Sequence, residues 1–217
     1  MPKWLKMLAG VLLLPVCASA VLTLLRVVRH SSSADTFWVA FAGGAASWVA
    51  LFLLLPKPMW VYVFGHELTH ALWVWLFGGR VHRFKVSSKG GEVAVSRTNF
   101  LIVLAPYFFP LYAVLIVAGY VVGNLIWGWH PYLLGFHLSL GAAYAFHVTL
   151  TGHILRAEQS DVTQQGWIFS AAVVFLGNIL VLLLGIPLLA ERPPVGTALR
   201  WWFEETVRLS QGMAGWF

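Results

Sequence analysis

The sequence predicts an all-α polytopic membrane protein of about six transmembrane helices, with a small β-hairpin inserted after the third span. Three observations lead there. Of the 217 residues, 59% are hydrophobic and only 10% charged, with a mean hydropathy of +0.79, whereas soluble domains carry about 25% charged residues. Apolar runs long enough to cross a bilayer, about 20 residues each, recur along the chain. Between two of them, one polar stretch alternates apolar with polar side chains, the period of a strand.

The first run, 5–28, follows a basic start and passes through an Ala-Ser-Ala sequence that also ends a secretory signal. Its apolar character continues to Val28, so it reads as an uncleaved first helix. Runs 36–55, 59–77, 100–123, 132–153 and 167–190 follow, separated by short polar breaks such as "RHSSSAD", "PKP" and "RAEQSDVTQQG". Residues 1–57 thus supply two N-terminal helices, 58–190 a core, and 191–217 a C-terminal segment. In that last segment "TALRWWFEETVRL" (197–209) predicts a helix with an aromatic side, lying on the membrane surface. The i,i+4 pairs Arg200–Glu204 and Glu204–Arg208 are expected along it.

The hairpin is expected over 80–97: "RVHRFKV" and "EVAVSR" form its arms and "SSKGG" its turn. It carries five of the fourteen basic residues. Those five leave the positive-inside bias too small to choose an orientation. The net charge of +6 suits loops beside anionic headgroups, and no basic soluble module is available for nucleic acid. The single cysteine, Cys17, excludes an internal disulfide framework and a Cys-based zinc site. Pro106 and Pro110 in "LAPYFFP" are expected to kink the fourth span.

The chemistry lies in the third span, "WVYVFGHELTHALWVWLFGG" (60–79). On a helix His66 and His70, four apart, share a face and can both reach one metal ion. Glu67 sits beside the pair, the H-E-x-x-H spacing of zinc hydrolases, in which the Glu acts as general base. Ionisable groups inside a membrane helix are costly and functional by default. A catalytic zinc ion takes three protein ligands plus water, so one ligand must come from elsewhere. His82, His137, His147, His153, Glu158 and Asp161 are the candidates. His137 and His147, ten apart, do not share a helix face and read as separate hydrogen-bonding groups between helices.

These residues resemble the site-2 protease family of intramembrane zinc metalloproteases. The matching features are "FGHELTHAL", "FGGRVHRFKV…GGEVAV" directly after it, and the proline-containing "LAPYFFPLY", within roughly residues 58–180. The resemblance implies a zinc cofactor held by His66, His70 and a carboxylate from a later helix. At the corresponding place stands Asp161 in "EQSDVTQQGW", which also suits a helix N-cap. Here Asp161 is followed by Val162 rather than the family's glycine, and no asparagine lies between 125 and 177. It further implies hydrolysis of peptide bonds in membrane-embedded protein substrates, with Glu67 as general base, in a multi-pass protein of the cell membrane. The hairpin would be the substrate-binding edge. The competing expectation is a non-catalytic membrane protein, a transporter or an inactive protease-like scaffold. A transporter should show repeat symmetry, which is not evident in the sequence, and a degenerate scaffold should have lost part of the motif.

Overall fold

The computed structural model describes residues 2–32, 35–88 and 90–214. The described chain is mostly helical, with one two-stranded antiparallel sheet. It divides into two compact units, one of residues 1–35 with 160–217 and one of residues 36–159.

The first unit contains α1 (Lys3–Ser31), α7 (Ser160–Gln165), α8 (Trp167–Ala190) and α9 (Val195–Ala214). Gly10 of α1 lets its backbone meet that of Phe169 in α8; a Cβ there would stand 2.9 Å from Phe169 Cα. Ser19, buried among apolar neighbours, is bonded to Thr206 Oγ1 at 2.8 Å and accepts from Trp202 Nε1 at 3.2 Å. Trp201 is also buried, with the Arg26 guanidinium 3.9 Å above its ring. Trp201 and Trp202 of that aromatic side thus pack on α1. Arg200–Glu204 forms as expected (3.7 Å), but Arg208 pairs with Glu205 (2.5 Å).

The second unit contains α2 (Asp35–Leu54, from Thr36 on), α3 (Met59–Leu76), β1 (Val81–Ser87), β2 (Gly90–Val95), α4 (Phe100–Leu104), α5 (Leu111–Trp127) and α6 (Leu133–Ile154). Pro56 and Pro58 end α2 and start α3, where a missing N–H costs nothing in the first turn. At its other end α3 closes on Gly78, whose φ of +70° lets the Gly78 and Gly79 amides turn back onto Trp75 and Val74 carbonyls. The chain thus leaves α3 directly into the hairpin. Tyr62, Val63 and Leu150 form a buried cluster, sealed by Trp48, Phe52 and Phe146 and by Val86 of β1.

The hairpin spans the predicted region. Its register pairs Val86 with Gly91 and Ser87 with Gly90, and a bulge falls between Val81 and Arg83. Lys89, in the expected turn, lies outside the described residues, as do Ser33, Ala34 and 215–217.

The predicted fourth span is interrupted. α4 passes into a 3-10 turn (Ala105–Tyr107) and α5 restarts at Leu111, the two pieces bent by 81°. Pro106 and Pro110 account for the break: neither donates an amide to the helix, and each ring crowds the preceding turn. Among the described residues, α1, α2, α6 with the turn before it, and α8 are long and apolar enough to cross a membrane. The bent pair makes a fifth if counted as one span. Six runs were expected; α3 falls short because His66, Glu67 and His70 lower the hydropathy of its 18 residues.

Candidate metal centre

His66 and His70 lie one turn apart on α3, ring centroids 4.9 Å from each other. Both are half-buried, and Glu67 between them is 7% exposed. The helix itself therefore delivers the pair, as the four-residue spacing requires.

Each ring is held from outside α3. His70 Nδ1 lies 2.9 Å from the carbonyl oxygen of Ile102 in α4. A carbonyl only accepts, so Nδ1 carries the proton and Nε2 keeps its lone pair for a metal ion. That carbonyl is set in place by Asn99, whose side chain caps α4 by accepting from Ile102 N at 2.9 Å. The ring of His66 meets Tyr107 edge-on at 5.2 Å, and Tyr107 is fully buried. The break at Pro106 thus turns both a carbonyl and an aromatic ring toward the histidines.

The ligand atoms of His66, His70 and Asp161 all lie within 4.8 Å of one another, a group that could hold a metal ion. Two imidazoles and a carboxylate are the donors zinc accepts, and a tetrahedral ion with bonds of about 2.0–2.1 Å sets its donors roughly 3.3 Å apart. α7 starts at Ser160, which puts Asp161 in its first turn. Among the described residues, His82, His137, His153 and Glu158 do not join this group.

His82 lies at the bulge of the hairpin and is exposed. His137 packs edge-on against Phe37, at 5.0 Å. His147 lines a cavity beside His66 with Tyr62, Thr69 and Tyr112. That cavity, about 20 Å³, has room for one water.

Two further participants escaped the sequence reading. One is the Ile102 carbonyl, a backbone atom that no residue type announces. The other is Gly91: a Cβ built there would lie 2.7 Å from Glu67 Oε1 and 2.8 Å from Glu67 Cδ. The "GG" of "SSKGGEV" was read as turn chemistry only, although a glycine inside a strand also marks close approach of another group. No family model, curated protein or solved structure matches the chain.

Proposed function

We propose that this chain is an intramembrane zinc metalloprotease of the site-2 protease type, cleaving peptide bonds of membrane-embedded substrates. One observation carries the reading: His66, His70 and Asp161 make up a group that could hold a metal ion, and Glu67 of the same H-E-x-x-H turn is buried. The long apolar helices support a multi-pass location in the lipid bilayer.

When bound, zinc supplies Lewis acidity, polarising a carbonyl and lowering the pKa of a coordinated water to about 7. His66, His70 and Asp161 would hold the ion. His70 is kept in the ligating tautomer by the Ile102 carbonyl. Glu67 takes a proton from the attacking water and hands it to the leaving amine as the C–N bond breaks. The hairpin is a sheet of two strands, so an extended substrate segment can add to an outer edge by backbone pairing. That mode suits a helix unwound locally before cleavage.

Metal analysis tests this reading. Protein purified in detergent without chelators should carry about one zinc per chain, and His66→Ala, His70→Ala and Asp161→Ala should each lose it. A metal-free wild type favours the non-catalytic alternative. Normal zinc in Asp161→Ala moves the third ligand to another residue, His153 being the next to substitute.

A further inference from the structure

We infer that Gly91 is the positioning residue for Glu67, and that strand β2 forms the wall against which the general base is set. This rests on the protease reading for its catalytic meaning, but the contact itself does not.

Three features of the hairpin lead to it. First, the hairpin is fixed to α3 rather than standing free of it: Phe84 meets Phe64 edge-on at 6.0 Å, and Val86 packs on Tyr62 and Val63. Second, Gly91 lies directly across the ladder from Val86, so its backbone is held at the height of the next turn of α3, where Glu67 stands. Third, any side chain at 91 would overlap Glu67 from Cγ to Oε1. Real Cβ atoms essentially never approach another heavy atom that closely.

What must move when residue 91 gains a side chain decides the consequence. The nearest three atoms it meets, Cγ, Cδ and Oε1, all belong to the one side chain of Glu67, with no backbone atom among them. The hairpin and α3 can therefore keep their places while the Glu67 carboxylate swings aside. His66 and His70 are not among the three nearest atoms that a Cβ at 91 would meet. A misplacement of about 1 Å in a catalytic group costs on the order of a hundredfold in rate. Gly91 is exposed on its remaining side, so a peptide has access to the strand that touches the base.

Two experiments test the inference. In a Cys17→Ser background, Glu67→Cys with Gly91→Cys should form an intramolecular disulfide under mild oxidation. A Cβ at 91 stands 2.4 Å from Glu67 Cγ, which is one bond from Glu67 Cβ, so the two Cβ atoms lie inside the upper limit of the ~3.5–4.5 Å that a disulfide spans. Thiol titration and non-reducing electrophoresis read the bond. Absence of this cross-link overturns the placement of β2 on Glu67.

The second experiment compares Gly91→Ala with wild type, using a fluorogenic Leu-Ala membrane peptide of about 20 residues with a central Gly-Gly pair as substrate. Expected are unchanged zinc content, KM within about twofold and kcat lowered at least tenfold. Gly119→Ala, on α5 with open space around it, should behave as wild type. Gly91→Ala with wild-type kcat, or with lost zinc, overturns the positioning role. A zinc-loaded wild type that leaves the peptide uncut removes the protease reading and this role together, while the cross-link still reports the contact.

Discussion

Glu67 shows how far one residue's role depends on what is packed around it. Its carboxylate is buried beside two imidazoles and under a strand, a placement that would be unfavourable without a task for the charge. On the proposed reading, Glu67→Gln keeps the shape and removes the base. Its zinc content should match wild type while turnover of the model membrane peptide falls about 10²–10⁴-fold, the usual contribution of a general base. Zinc analysis beside a rate assay checks this; turnover close to wild type would assign the base elsewhere. His66, Glu67 and His70 were legible in the sequence because helix geometry alone places them together, and the spacing contains that geometry. Asp161 is suggested by the resemblance rather than by spacing, since nothing local links it to residue 70. Gly91 and the Ile102 carbonyl were not legible: one is a residue defined by lacking a side chain, the other a backbone atom, and both matter only once the chain has folded back.

At the level of elements, the short helix α4 does more than its five residues suggest. Two prolines, plain in the sequence, break the predicted fourth span, and the break turns α4 toward α3. The extent of the bend, 81°, was not legible, because proline specifies where a helix fails and tertiary packing specifies where the chain goes next. Asn99 ties this element to the site: it caps Ile102 N while the Ile102 carbonyl orients His70. Asn99→Ala should therefore lose about 1 kcal/mol of stability, typical for an N-cap. It should also weaken zinc binding by up to tenfold or so through the slackened histidine. Asn99→Asp, which caps equally well, should restore both. Chemical denaturation and zinc titration against a competing chelator read the two effects. Equal zinc affinity in Asn99→Ala would mean that α4 holds His70 without its cap.

For the molecule as a whole, the surface decides the solvent. Leu12, Val39, Leu54, Leu125 and Leu188 are each 66% or more exposed, and they belong to helices of predominantly apolar composition. Soluble monomers seldom expose contiguous apolar patches beyond a few hundred Å², and side chains of this kind each cost about 1.5–3 kcal/mol when left in water rather than buried. Two glycines lie where helices meet instead: a Cβ on Gly44 would stand 2.7 Å from the Leu138 carbonyl carbon, and one on Gly141 2.7 Å from that of Phe41. Close backbone approach of this kind is how helices associate where hydrocarbon tails offer no contrast to leucine. The protein should accordingly remain in the membrane pellet through alkaline carbonate washing, enter solution only with detergent, and aggregate when the detergent is removed. Gly44→Leu or Gly141→Leu should weaken the pairing of α2 with α6 and lower thermal stability in detergent, leaving the membrane pellet result unchanged. Release of the wild type into a carbonate supernatant as a monodisperse species would remove the bilayer from this account, whatever the zinc content proved to be.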